Sequence, residues 1–334
     1  MESVAPSTLI LRGSDVASLM DAAAYLAAVE AGFRTYASGE ADLPLPMHIP
    51  VTGGGFHAKG ARMTLDRSYA GVKLNSNFPG NPQRNGLPTI QGVMLLCDAT
   101  DGSLLAMIDS IEITLGRTAA ASALAARHLA RADSSSIAIC GCGRQGRAQL
   151  TAIADVFRLR RVRAWDIDAE RARAFALEMQ RALGIEVTAV ADVGDATRGS
   201  DIVVTATSAQ TPFMTNDCVS PGTFIAAVGA DSAQKSELTP ALLAHSTIVV
   251  DVLAQCVTMG DLHHAIEAGL VKAGDVHAEL ADLVVGRKSG RTHVDEITVF
   301  DSTGVAVQDV ASAAEIYQRA VAARVGTFVS FGAS

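Results

Sequence analysis

The sequence has little of what marks several large classes of protein. It contains five cysteines, Cys97, Cys140, Cys142, Cys218 and Cys256, an odd number, widely scattered and without a CxxC pair. That excludes a disulfide framework or a zinc knuckle and fits a reducing compartment. No apolar run approaches the roughly 18 residues needed to span a bilayer, and the N-terminus MESVAPSTLILRGSD has no basic stretch followed by an apolar one. The expectation is a soluble, cytoplasmic protein with no membrane partner. A basic excess is also lacking: 27 Lys+Arg face 35 Asp+Glu, a net charge of −8, which argues against nucleic acid as a partner and leaves small-molecule chemistry. Only five of the basic residues are lysine, Lys59, Lys73, Lys235, Lys272 and Lys288, so a lysine in an apolar or glycine-rich setting stands out. No internal repeat or low-complexity tract is present.

What is there reads as a globular α/β chain. Of the 334 residues 49% are hydrophobic, enough for a large core, and the length suggests two domains at about 100 to 200 residues each. Apolar residues at spacings of three and four predict a single amphipathic helix over 14–36, capped by Ser14 or Asp15. The segment LPLPMHIP, with three prolines, is extended or turning, and GGG at 53–55 punctuates the chain. Strands follow at 69–75, 92–97 and 104–108, the first two separated by the loop FPGNPQRNGLP, which is too long for a hairpin turn and of the kind that carries function. A helix is expected over 111–130. From Asp133 onward strands at 137–140, 162–166, 186–190, 202–206, 224–228 and 248–251 alternate with helical stretches, the pattern of βαβ units in a mostly parallel sheet. A strand at 297–301 and a helix from about 309 to 325 close the chain.

The strongest chemical signal is GCGRQG, in which Gly141, Gly143 and Gly146 follow a strand and open a helix, with Arg144 and Gln145 between them and Asp166 20 residues after Gly146. This spacing is the dinucleotide fingerprint: a tight turn, a close approach of backbone to pyrophosphate, close helix-strand packing and an acid at the adenosine ribose. A carboxylate at Asp166 favours NAD(H), because it repels a 2′-phosphate. Arg158, Arg160, Arg161 and Arg163 crowd the same edge and leave NADP(H) possible, although a solvated face explains them as well. Thr205, Ala206 and Thr207, with Val228 after the following strand, are candidates to line the cofactor. Lys73 in the apolar strand GVKLN is costly to bury without an anionic partner or a lowered pKa; a strand-end lysine reaching water is the alternative. Arg117 in an apolar helix offers a two-point grip on a carboxylate or is simply exposed. Asp231 stands at the carboxyl end of a strand, where α/β sheets place ligands, or caps a turn.

Across most of the chain the segments KLNSNFPGNP, GLPTIQGVMLLCDATDG, ITLGRTAAASALAA, ICGCGRQGRAQ, AAVGADSAQKSEL and TVFDSTGVAVQD resemble those of the ornithine cyclodeaminase and mu-crystallin family. The resemblance implies a Rossmann-type doubly wound sheet over 131–305, inserted into a second α+β substrate and dimerisation domain made of 1–130 and 306–334, and a homodimer formed through that domain. It implies NAD(P)-dependent chemistry at the C–N bond of an amino acid, amine or imine, as in amino acid dehydrogenases and ketimine reductases, with Lys73 near the substrate carboxylate and amine, Asn75 close by, Arg117 clamping the carboxylate and Asp231 activating water or relaying a proton. Ser302 and Gly304 match a loop near the nicotinamide. A cyclodeaminase that releases ammonia from ornithine or lysine with catalytic NAD, and a nucleotide- and ligand-binding protein of mu-crystallin type, are the competing readings.

Two departures from the family pattern bear on the substrate. Where many members carry a basic residue after the proline of the extended segment, this chain has Met47, with His48 adjacent. Where the cyclodeaminases use a glutamate, GGGFHAKGARM has no carboxylate before Asp66; His57 and Lys59 stand there, on one face if the segment is a strand. His57 is a candidate acid or base and Lys59 a substrate ligand. The run DLHHAIE, with Asp261, His263 and His264, invites a metal, but adjacent histidines on a helix point about 100° apart and no third ligand follows at a sensible spacing. No metal is expected.

Overall fold

The computed structural model describes residues 7–330; the stretch searched above for a leader lies partly outside them. The chain forms two compact units, Met1–Arg117 with Val305–Ser334, and Thr118–Gly304. In the first unit β1 (Ser7–Leu11) leads into α1 (Gly13–Leu19) and α2 (Ala22–Ala37). The apolar spacing predicts one helix here, but the chain breaks at Met20 and turns by 90°. Met20 is extended, and the Asp21 carboxylate accepts from the Ala24 amide at 2.8 Å. That cap starts a new helix without disturbing the three-and-four spacing, so periodicity alone hides the break.

Next come β2 (Ala41–Asp42), β3 (Met47–Val51), β4 (Gly54–Thr64), β5 (Ser68–Asn77), α3 (Asn81–Asn85), β6 (Ile90–Asp98) and β7 (Leu104–Asp109). They pair in the order β1-β7-β6-β5-β4-β2, with β3 also on β4. β3 is an edge strand, as Pro50 within it requires. Of the three consecutive glycines only Gly53, at φ 81°, makes the turn; Gly54 and Gly55 already belong to β4. α4 (Ser110–Leu129) follows, and the division between the units falls within it.

The second unit contains β8 (Ser136–Cys140), α5 (Arg144–Ala154), β9 (Arg161–Trp165), α6 (Ala169–Leu183), β10 (Glu186–Ala189), α7 (Val193–Thr197), β11 (Ile202–Thr205), β12 (Phe224–Ala227), α8 (Pro240–Ala244), β13 (Thr247–Val250), α9 (Leu253–Cys256), α10 (Asp261–Glu267), β14 (Ala278–Glu279), α11 (Leu280–Val284) and β15 (Thr298–Asp301). Its eight strands are all parallel, in the order β10-β9-β8-β11-β12-β15-β13-β14. The order reverses direction between β8 and β11, which is the switch point at which doubly wound sheets bind ligands. β8, β11, β12 and β15 are buried on both faces, and their continuous apolar runs follow from that.

The chain then returns to the first unit through α12 (Ala306–Ala323) and β16 (Thr327–Ser330), the latter antiparallel to β1. α12 lies across β4, β5 and β6 and against α2. The α2 crossing is close because Gly32 has no side chain: a Cβ there would sit 3.0 Å from the Val307 carbonyl oxygen. One face of the sheet is thus covered by α12. The other presents Met47, Ile49, Val51, Val72 and Leu74, all exposed.

Candidate active site

Within the first unit a buried ion cluster joins β5, α4 and α12. Lys73 and Arg117 are 4% and 6% exposed and Asp309 is fully buried. Lys73 Nζ donates to Asp309 Oδ1 at 2.7 Å, Arg117 Nε stands 2.9 Å from the same oxygen, and Arg117 Nη1 donates to Gln308 Oε1 at 2.8 Å. Asp309 lies in the first turn of α12, where a carboxylate also meets the positive end of the helix dipole. Burial alone raises a carboxyl pKa, yet the charges of Lys73 and Arg117 hold Asp309 below its usual range. Burial and then repulsion from Arg117 bring Lys73 down to about 7, against the pull of Asp309. Two cations on one carboxylate leave a net positive charge, and Asp309 Oδ2 and Gln308 Nε2 are buried with no hydrogen-bond partner. Buried polar groups are rarely left unsatisfied, so the cluster is built to receive a polar guest that brings a donor for Asp309 Oδ2 and an acceptor for Gln308 Nε2. Neither Gln308 nor Asp309 is singled out by sequence reasoning; an acid and an amide in the first turn of an apolar helix were the only signal.

The strand register settles which neighbours share this face, because directly paired residues in an antiparallel sheet point the same way. Lys59 pairs with Lys73, His57 pairs with Asn75, and His48 pairs with His57. These five side chains therefore stand on the α12 side, and Lys59 acts electrostatically on both Lys73 and Asp309. The His48 and His57 rings stack with centroids 4.3 Å apart and planes 7° from parallel. The Asn75 Oδ1 accepts from Ser110 Oγ at 2.6 Å. Met47 is a correction to the expectation: it pairs with Ala58, points to the opposite, apolar face and is 54% exposed. Side chains alternate along a strand, so the residue of this segment on the Lys73 face is His48.

In the second unit the glycine loop joins β8 to α5. A Cβ at Gly141 would strike the Ala206 carbonyl, and one at Gly146 would strike the Gly141 carbonyl; a Cβ at Gly143 would meet nothing within 4 Å. The first and third glycines are therefore demanded by the fold and the second is not. Gly143 faces open space at the N-terminus of α5, where a pyrophosphate would come against free amides. Gln145 Nε2 is buried there without a partner, while Arg144 is exposed. These features fit a dinucleotide. Asp166 directly follows β9 with its carboxylate on the loop, accepting from the Cys142 amide at 2.8 Å and the Asp168 amide at 3.0 Å. Arg161 and Arg163 donate to carbonyls of Asp195, Arg198 and Gly199 and so brace the α7 segment.

Two of the remaining candidates, Thr205 and Thr207, are held by a residue that sequence reasoning missed. Glu237, fully buried, accepts from Thr205 Oγ1, Thr207 N and Thr207 Oγ1, each at 2.6 Å, and from Gly229 N at 2.9 Å. The Thr205 and Thr207 hydroxyls are thus turned onto Glu237, which ties the loop after β11 to the loop after β12. Ala206 lies against Gly141, and the Val228 amide donates to the Thr205 carbonyl at 3.0 Å. Asp231, two residues past Gly229, is half-exposed and accepts from Lys235 Nζ at 2.7 Å. The Gly304 amide donates to Asp251 Oδ2 at 2.7 Å, and Ser302 is buried with its hydroxyl unpartnered.

The histidine pair departs from expectation. His263 Nε2 and His264 Nδ1 both turn toward Glu267 Oε2, at 3.5 and 3.9 Å, so a third ligand atom does stand beside them. Side-chain torsions close the 100° gap. Asp261 of the same run is buried, and its Oδ1 accepts from Glu237 N and Leu238 N.

The chain is 38% identical over 324 residues, 97% of its length and 98% of the other's, to the alanine dehydrogenase of Archaeoglobus fulgidus. Its fold superposes on an archaeal alanine dehydrogenase dimer with bound NAD at a TM-score of 0.93 and 37% identity, covering 97% of this chain and 99% of that one. On the Delta(1)-pyrroline-2-carboxylate reductase of Thermococcus litoralis in complex with NADH and L-proline the score is 0.92 at 34% identity, with 96% and 100% covered. Residues 7–324 match the sequence pattern of the ornithine cyclodeaminase/mu-crystallin family, and the chain belongs to that family.

Proposed function

We propose that this protein is an NAD(H)-dependent oxidoreductase acting at the C–N bond of a small amino acid, amine or imine. The observation that carries the reading is the buried cluster of Lys73, Arg117 and Asp309, an anion-seeking site whose lysine exchanges its proton near neutral pH. Arg117 and Lys59 hold the substrate carboxylate; Lys73, at about 7, gives or takes the proton of the substrate nitrogen, with His57 a further proton carrier. Asp231, paired with Lys235 at 2.7 Å, serves a developing iminium or an attacking water. Gly141, Gly143, Gln145, Gly146 and Ala206 cradle the dinucleotide, with Arg144, Thr205, Thr207, Val228, Ser302 and Gly304 completing its surroundings. When bound, the nicotinamide supplies a two-electron acceptor for amine oxidation and a hydride donor for imine reduction. Asp166 prefers a ribose hydroxyl to a 2′-phosphate, which supports NAD(H) over NADP(H).

The exposed apolar face of the first unit supports a homodimer. Met47, Ile49, Val51, Val72 and Leu74 lie on it beside a groove of about 500 Å³ lined by Phe56, Leu74, Phe78 and Val93, a continuous apolar surface of the kind that proteins cover. Among the described residues no single helix is long and apolar enough to cross a membrane, and the cysteines are free, in keeping with a cytoplasmic enzyme. The test is absorbance at 340 nm with NAD and NADP against amino acids and amines, and with NADH against imines. A net change that is abolished in Lys73→Met and Arg117→Met is the expected result. Ammonia release from ornithine or lysine without net NADH change overturns it.

A further inference from the structure

On α10 the ligand atoms of His263, His264 and Glu267 come within 4.8 Å of one another. We propose that these three side chains bind a divalent transition ion of the zinc class, and that the ion fastens α10 to the segment that follows Asp231.

Helix geometry brings the three together. His263 and His264 precede Glu267 by one helical turn on either side of it, so the carboxylate sits between the two rings on the helix surface. Each ring is held by its far nitrogen. His263 Nδ1 donates to the Val257 carbonyl at 3.2 Å, and His264 Nε2 donates to the Lys235 carbonyl at 2.9 Å. A carbonyl only accepts, so the proton of each neutral ring stands on that side, and His263 Nε2 and His264 Nδ1 face Glu267 with their lone pairs. A backbone carbonyl on the far nitrogen is the arrangement that fixes the tautomer and orientation of histidines that ligate metals.

Spacing distinguishes an ion from a proton here. His263 Nε2 and His264 Nδ1 stand 3.5 and 3.9 Å from Glu267 Oε2, whereas a charge-assisted hydrogen bond from an imidazolium to a carboxylate measures about 2.7 to 2.9 Å. Two ligands of one tetrahedral zinc, each about 2.0 to 2.1 Å from it, lie roughly 3.4 Å apart. Three electron-pair donors thus face one another close to the separation that a shared cation needs. Two imidazoles and a carboxylate suit zinc and its neighbours, and are a poor set for magnesium or calcium, which take oxygen. The histidine side chains are 18% and 24% exposed and that of Glu267 63%, so an ion can enter and water can complete its shell. A metal on Nδ1 makes the Nε2 proton of His264 a stronger donor to Lys235, the residue whose ammonium holds Asp231. Asp261, in the first turn of the same helix, accepts from the Glu237 and Leu238 amides. α10 therefore grips residues 235–238 at two points, and the ion strengthens one of them.

Two measurements on the full-length protein, first stripped of metal by a chelator, test this. Zinc and magnesium chloride are titrated calorimetrically; zinc is expected to bind at least about tenfold more tightly than magnesium, and His263→Gln, His264→Gln and Glu267→Gln each to weaken zinc at least about tenfold. His293→Gln, at another exposed histidine, is expected to leave zinc binding unchanged. Glu267 lies on the surface, so Glu267→Gln keeps the test open should a histidine variant fail to fold. Hydrogen exchange at the amides of 235–238 is expected to slow when zinc is added to the wild type and not when it is added to Glu267→Gln. Zinc no tighter than magnesium, zinc binding untouched by all three substitutions or weakened equally by His293→Gln, or exchange at 235–238 indifferent to bound zinc overturns the proposal.

Discussion

The buried cluster makes a quantitative demand on how stability varies with pH. In the unfolded chain Lys73 has the ordinary lysine value of 10.5, and in the folded protein it lies at about 7. Between these values the unfolded state binds a proton that the native state does not. Stability therefore rises with pH across that window, at roughly 1 kcal/mol or slightly more per pH unit for one proton. Below pH 7 both states are protonated and the contribution is flat. Asp309 does not confuse the window: its native pKa is lowered, so its own contribution is present above the unfolded value of 3.8 and is lost only as pH falls below that. The perturbation is Lys73→Met, which keeps an unbranched side chain of similar length and removes the charge. Thermal midpoints of wild type and variant, without ligand, are compared at matched pH from 7 to 9.5, so that every other titrating group cancels. For a unit of this size each kcal/mol moves the midpoint by about 2 to 4 °C, and wild type is expected to gain on the variant by about that much per pH unit. A saturating carboxylate ligand stabilises protonated Lys73 and flattens the slope. Parallel curves without ligand would refute the reasoning, because Lys73 would then titrate as an ordinary surface lysine and the cluster would exert no hold on its proton.

Three further outcomes are expected. Gly143→Ala leaves the thermal midpoint within about 2 °C, since its Cβ meets nothing within 4 Å, yet weakens NAD binding by calorimetry at least about tenfold because the pyrophosphate is kept away; equal losses of both would show that Gly143 is a packing residue. Glu237→Ala strands four donors around a buried void, at a cost of about 3 kcal/mol or more and a midpoint fall of roughly 6 to 12 °C, whereas Glu237→Gln keeps most of the shape and loses less. Leu74→Asp, on the apolar face opposite Lys73, shifts the mass measured by light scattering from dimer to monomer; an unchanged mass would place the subunit contact elsewhere.

Where local physics decides the structure, the sequence was legible. α6 is one of the helical stretches expected between the strands, and its ends are set locally: Asp168 accepts from the amides of Glu170 and Arg171, and Gly184 ends the helix in the left-handed region, two signals that flank the helix itself. The strand, glycine loop and helix around Gly141, Gly143 and Gly146 were readable for the same reason. The Lys73 cluster was only half so, because Asp309 is 236 residues away from its partner and nothing near either residue announces the other. Glu237 is hidden in the same manner, by donors that stand 30 to 32 residues upstream.

β4 and β3 were obscured by something more specific. Strand recognition assumes that the covered face is apolar and the bare face polar. In residues 54 to 64 the relation is partly inverted: His57 and Lys59 face the covered side, because that side holds the polar cluster, while Phe56 and Ala58 share the bare side with Met47, Ile49 and Leu74. A strand so built has alternation of the wrong sign, and GGGFHAKGARM carries a strand only as a condition on the placement of His57 and Lys59. The same inversion misplaced Met47, since a residue expected to touch substrate was sought by its position after a proline and not by its parity in a strand. The inversion is informative in its own right. A polar inner face is tolerated only where a ligand or ion cluster satisfies it, and an apolar outer face only where another surface covers it. One strand with its alternation reversed thus points to both a site and a subunit contact, and Leu74→Asp with Lys73→Met tests the two faces separately.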